Sequence, residues 1–131
     1  MNPQEFLNQM AATANALDLK DHMNLISKDV GVYGVPGFEV IGYDDWFNQC
    51  QHEFENKLLK QVSYQGLNVL AQTADRIMFK SIETVEGADG EINTSGIEFI
   101  IQVEDDGQWR VTQERVLPED ELESDRRRGV L

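Results

Sequence analysis

The sequence predicts an α+β fold, with three helices laid against one face of an antiparallel sheet. Two features carry that expectation. Up to Lys60 the apolar residues recur every three or four positions, and beyond it every second position, so helices come first and strands after. The four strand-like runs are joined by turns of only three or four residues, whereas parallel neighbours need a crossover of roughly a dozen. With 131 residues and 40% hydrophobic content, one domain with a real core is expected.

Residues 3–17 put Phe6, Leu7, Met10, Ala11, Ala14 and Leu17 on one helical face, and Pro3 suits the first turn. A short second helix is expected over residues 19–27, with Asp18 as N-cap and Leu19, Met23 and Ile26 inward. Residues 30–33 alternate as a strand, Val35-Pro36-Gly37 is a turn, and residues 38–41 form a second brief extended piece. A third helix opens after Gly42, is capped near Asp44, and turns Trp46, Phe47, Cys50, Phe54 and Leu58 inward. Long strands occupy residues 61–72, 76–86, 92–104 and 108–117. From Pro118 the chain carries five acids and three bases with little to bury. Residues 119–131 are therefore expected as a charged mobile tail beyond a domain of residues 1–118.

Eleven lysines and arginines face 24 aspartates and glutamates, a formal charge of -13. That balance opposes binding to nucleic-acid phosphates or to an anionic membrane surface. Nothing approaches the roughly 18 apolar residues of a membrane span. The opening Met-Asn-Pro-Gln-Glu has neither the basic nor the apolar region of a signal peptide, and the single cysteine, Cys50, forbids an internal disulfide. These features lead us to expect a cytoplasmic protein. Two histidines and one cysteine at no ligand spacing predict no zinc site. There is no phosphate loop, nucleophile elbow or metalloprotease helix, so no cofactor and no metal are expected.

Counting outward from each turn sets a register for the strands. Val103 falls opposite Trp109, Ile101 opposite Val111, Phe99 between Gln113 and Phe79, Ile97 between Arg115 and Ser81, Ser95 opposite Glu83, and Phe79 opposite Val69. One face then gathers Val69, Ala71, Ile77, Phe79, Ile97, Phe99, Ile101, Val103, Trp109 and Val111, and should receive the helices. Its far end turns polar, with Gln65, Ser81, Glu83, Ser95, Gln113 and Arg115. Buried polar groups need partners or water, so this end either lines a cavity or is simply solvated. The opposite face mixes Leu70, Met78, Ile82, Ile100 and Val116 with Lys80, Glu98, Arg110 and Glu114. Such half-apolar patterning suggests a second burial event, most simply a homodimer through the outer sheet face. In this register Glu98 and Glu114 stand directly opposite each other, an unfavourable pair that Lys80 on the other side of Glu98 would offset.

Four segments stand in a telling order. Ala16-Leu17-Asp18 closes the first helix, and Ile26-Ser27-Lys28-Asp29-Val30 leads into Val32-Tyr33-Gly34. Gly42-Tyr43-Asp44-Asp45-Trp46-Phe47 opens the third helix, and Asp106-Gly107-Gln108-Trp109-Arg110-Val111 forms the last hairpin. Together, along most of the chain, they resemble the nuclear transport factor 2-like superfamily in its SnoaL-like branch. The resemblance implies a cone-shaped, curved antiparallel sheet wrapped around three N-terminal helices, a pocket at the open end, and frequent homodimers. Relatives include steroid isomerases, polyketide cyclases, dehydratases, epoxide hydrolases and binding modules, and the fold alone does not choose among them.

Steroid-isomerase-like relatives place a carboxylate base on the strand after the second helix. Here that stretch, Val30 to Val35, offers only the Tyr33 phenol. Glu83 is the better candidate base, since a carboxylate in a partly apolar cavity has a raised pKa. On the same predicted face, Arg115 would steady an oxyanion, bind a substrate carboxylate, or hold Glu83 in a structural ion pair. Tyr33 is the alternative donor. Trp46, Phe47, Tyr43 and Phe99 are expected to form the wall for a small hydrophobic molecule, with Gln113 as a polar contact. His22, four residues after Asp18, either joins them or lies exposed beside its cap. Cys50, on an inward helical stripe, reads as a packed, inert thiol. Three functions fit. The first is a homodimeric small-molecule pocket protein. The second is a lyase or isomerase acting on a hydrophobic carbonyl compound by general acid/base catalysis. The third is a non-catalytic interaction module using the outer sheet face.

Overall fold

An Asn2 side chain accepting from the backbone N–H groups of Gln4 and Glu5 starts α1 (Pro3–Asn15) in the computed structural model, which covers residues 1–131. The helix buries Phe6, Leu7, Met10 and Ala14, four of the six residues of the predicted face. Asp18 caps α2 (Leu19–Met23) by accepting from the Asp21 N–H. This helix stops earlier than its spacing predicts because Ile26 and Ser27 already belong to β1 (Ile26–Tyr33). The second extended piece is reduced to one bridge between Ile41 and Val32. Gly42, not Asp44, is the N-cap of α3 (Tyr43–Glu55); Asp44 and Asp45 lie in the first turn, where the helix dipole favours negative charge. Cys50 and Phe54 are buried as expected, but Leu58, past the helix end, is exposed.

The four predicted strands are β2 (Leu59–Gln72), β3 (Arg76–Gly87), β4 (Ile92–Val103) and β5 (Trp109–Val116). They form an antiparallel meander, and β1 adds a fifth strand parallel to β5, giving the order β1-β5-β4-β3-β2. Ile77, Phe79, Ile97, Phe99, Ile101 and Val111 pack from the sheet into one core with Phe6, Leu7 and Met10. The predicted inner face is correct over these residues. It fails at Val69, which is 42% exposed, and at Ala71, beyond another irregularity between β2 and β3.

Two of the one-residue bulges in the sheet decide which side chains reach the inner face beyond them. Between β2 and β3, Gly66 and Leu67 together oppose Ser81, with Gly66 at φ +79°, a left-handed conformation that glycine adopts without strain. Ser81, predicted to face a cavity, is fully buried, and its hydroxyl donates to the Gly66 carbonyl at 2.6 Å. Beyond the bulge Tyr64, not Gln65, lies opposite Glu83. Between β4 and β5, Thr112 is the extra residue. Ile101 still pairs with Val111, but Phe99 pairs with Glu114, and Glu98 with Arg115. Because side chains alternate, a slip of one residue exchanges the faces. Gln113 and Arg115 therefore go to the outer face and Glu114 to the inner. The predicted Glu98–Glu114 opposition does not arise, since Glu98 faces Arg115 and Lys80 instead.

The segment expected as a mobile tail forms α4 (Glu119–Arg127) on the outer face of the sheet. Gly96 admits it there, because a Cβ at that position would lie 2.8 Å from Leu117 and 3.0 Å from Leu122. Asp125, only 1% exposed, receives Lys80 at 2.8 Å and Arg128 at 2.7 Å. Glu121 receives Lys80 at 3.0 Å and Arg115 at 2.8 Å, and Arg115 also pairs with Glu98 at 2.9 Å. On this face Ile82 and Ile100 are buried within the single chain.

Candidate functional site

Between the helices and the inner sheet face lies a cavity of about 620 Å³. Met10 and Ala14 of α1, His22 of α2, and Val32 of β1 line it, with Val35, Phe38 and Ile41 from the loop after β1. The third helix contributes Asp45, Trp46, Gln49, Cys50, Glu53 and Phe54; the sheet contributes Leu59, Val62, Tyr64, Glu83, Val85 and Glu114. Thirteen of these 19 residues are hydrophobic, so an occupant must be largely apolar.

Four of the other six residues are acids, beside His22 and Gln49. Glu83 is half-buried, and the surface it keeps faces the cavity. Its Oε2 accepts from Tyr64 Oη at 2.9 Å. Burial raises its pKa, the Tyr64 hydrogen bond works against that, and the nearby Glu53 charge adds to the rise. Glu114 is 8% exposed, and its Oε2 has no hydrogen-bond partner in the protein. Burial first, and then the charge on Glu83, push its pKa well above the usual carboxylate range. Only Glu83 has a donor, so ionisation favours Glu83 and the proton of the pair favours Glu114.

His22 is buried at the same cavity, with Nδ1 2.7 Å from Thr13 Oγ1 and its ring 5.7 Å from that of Phe54. Burial lowers its pKa to about 4, partly offset by the backbone of Met10, so it is neutral at pH 7. Burial, with the charge of Glu53, pushes the Cys50 thiol up to about 12, which makes it a poor nucleophile. No three His, Cys, Asp or Glu side chains stand close enough to share a metal ion.

Of the residues singled out from sequence, Glu83, Trp46 and His22 line this cavity. Phe99 is fully buried beneath it, stacked on Phe79 at 5.3 Å and meeting Tyr64 edge-on at 6.0 Å. Tyr33 does not reach it. Period-two alternation puts Val32 inside and Tyr33 outside, where the phenol folds over Gly31 and stays 42% exposed. Arg115 and Gln113 are on the far face of the sheet, so the expected Glu83–Arg115 pairing does not exist. Tyr43 and Phe47 stack on each other at 6.3 Å and face a separate concavity with Arg110 and Glu104. Sequence reasoning missed Tyr64, Glu53 and Glu114. The Glu98–Glu114 clash in the predicted register was the available warning, since like charges directly opposite disfavour that pairing.

No protein-family model and no curated protein matches the sequence. Solved structures do match the fold. An NTF-2-like protein of unknown function from Shewanella oneidensis superposes with a TM-score of 0.72 over 87% of this chain and 94% of that one, at 12% identity. A provisionally assigned scytalone dehydratase from Novosphingobium aromaticivorans gives 0.70 over 87% and 79%, at 12% identity. A ketosteroid isomerase-like protein from Erwinia carotovora atroseptica gives 0.62 over 86% and 90%, at 18% identity. The sheet and its helical layer define an α+β cone protein. The fold is that of the nuclear transport factor 2-like proteins. No helix is long and apolar enough to cross a membrane.

Proposed function

We propose that the protein binds a small, mainly apolar molecule in this cavity. The observation that carries the reading is the Glu114 carboxyl, whose Oε2 is buried without a protein partner at the wall of a largely apolar pocket. A buried polar atom left unsatisfied costs about 1–3 kcal/mol, a cost that a bound ligand recovers. An open cavity also favours a pocket protein over a module that acts only through its outer face. Thermal-shift screening of monocyclic and bicyclic alcohols, ketones and amines should find compounds that raise Tm. Val85→Trp, which fills the cavity from the sheet side, should abolish the effect. Shifts that survive this substitution would place binding elsewhere.

A second reading, a lyase or isomerase acting on a hydrophobic carbonyl compound, is favoured by the unequal carboxyls. Glu83, accepting from Tyr64, is suited to remove a proton, and Glu114 is suited to give one to a developing oxyanion. The names of the ketosteroid isomerase-like and scytalone dehydratase neighbours are of the same chemical kind. Solvent-deuterium exchange alpha to a bound ketone, followed by NMR, tests it: exchange should be catalysed by the wild type and lost in Glu83→Gln. Equal rates in both would remove Glu83 from any such chemistry.

A further inference from the structure

We propose that the ligand of this cavity is an organic cation, an ammonium group on an apolar aryl or alicyclic body, held by Glu114 and Glu83. The inference rests on the pocket reading above and narrows it to one chemical class. Four acids line the cavity, Asp45 and Glu53 on α3, Glu83 on β3 and Glu114 on β5, and no lysine or arginine joins them. The remaining titratable groups that face them carry no positive charge at neutral pH. His22 is held neutral by burial, as are the Cys50 thiol and the Tyr64 phenol.

Elsewhere the molecule pairs its buried and half-buried acids. Asp125 has Lys80 and Arg128, Glu98 has Arg115, and Glu104 has Arg110 and the Ser27 hydroxyl. Glu114 alone has a buried oxygen with no donor. The Thr112 bulge withholds the one nearby cation by turning Arg115 to the other face. An anionic ligand would meet like charge from every side, at a cost that grows in a poorly solvated site. A ketone or ether accepts from a protonated Glu114 but brings no opposite charge to these carboxyls. An ammonium group brings up to three donors together with the opposite charge, and hydrogen bonds between ionised partners are the strong ones. The wall suits the same guest, because Trp46, Phe54 and Tyr64 are among its residues and aromatic rings attract cations.

Isothermal titration with three probes that share a phenethyl body tests this: 2-phenylethylamine, 2-phenylethanol and 3-phenylpropionate. The amine should bind at least about tenfold more tightly than the alcohol, and the propionate should not bind. Burial raises the pKa of both carboxyls in the empty cavity and a bound ammonium lowers it, so amine binding should also release protons, read from heats in two buffers of different ionisation enthalpy. Glu114→Gln should fold normally and lose both the amine preference and the proton release. If the alcohol binds as well as the amine, the pocket stands and the cation is wrong. An amine preference unchanged in Glu114→Gln and in Glu83→Gln would also overturn the assignment. If none of the three probes binds, this inference and the pocket reading fall together.

Discussion

Glu114 faces the cavity because Thr112 takes up an extra place in β5, and nothing in the local sequence announces that insertion. A glycine would have marked it, as Gly66 marks the bulge in β2, but Val111-Thr112-Gln113 reads as ordinary strand. Glu83 was legible because its pairing with Ser95 comes from the short hairpin turn and stays regular along β3 and β4. Its partner was not, and Arg115 was put in the place of the residue beside it. The consequence for stability can be measured. The pKa of Glu114 is raised above its ordinary 4.5, so the folded chain holds this proton longer than the unfolded one. Its contribution is fully favourable below about pH 4.5 and is lost as pH rises toward the folded value. Glu114→Gln should therefore change little at pH 4 and stabilise the protein by about 1–3 kcal/mol at pH 8. Urea unfolding at the two pH values checks this, and a difference that does not vary with pH would show that Glu114 ionises freely in the fold.

Among the elements, α4 is the one that sequence reasoning failed to find. Its residues offer only Leu122, half-buried, as an apolar anchor, and its stabilising contacts are with Lys80 and Arg115, far away along the chain. Local periodicity cannot report such partners. The acids at its start and arginines at its end do match the helix dipole, a weak sign that was present. The Glu121 carboxyl, held down to about 2 by Arg115 and then by Lys80, ties the helix to β3 and β5. Asp125→Ala should cost about 1.5–3 kcal/mol by removing hydrogen bonds to two charged groups. The lower end is expected, since Glu121 stays beside Lys80 and Arg128 is largely exposed. Chemical denaturation checks the magnitude. Faster amide exchange in residues 119–127, with β4 unchanged, would show that the loss is local to α4.

At the scale of the molecule, the order of elements and the antiparallel meander were legible because turn lengths and the change of period are local properties. Part of the apolar outer face that suggests a homodimer is instead covered by α4, whereas Leu70 remains 44% exposed. We expect a homodimer through this uncovered part, favoured by salt because the chains carry -13 each. Sedimentation velocity should give a dimer that weakens on Leu70→Glu, and a monomer at every salt concentration would refute it. A chain ending at Leu117 should associate further, since Ile82 and Ile100 would then lose their cover. The far end of the polypeptide has a practical bearing too. Leu131 lies 3.6 Å from where a Cβ on Gly66 would sit, against the same bulge that aims Tyr64 at Glu83. A purification handle or fluorophore attached there would press on the pocket wall from behind, so labels belong beside the exposed Met1 instead.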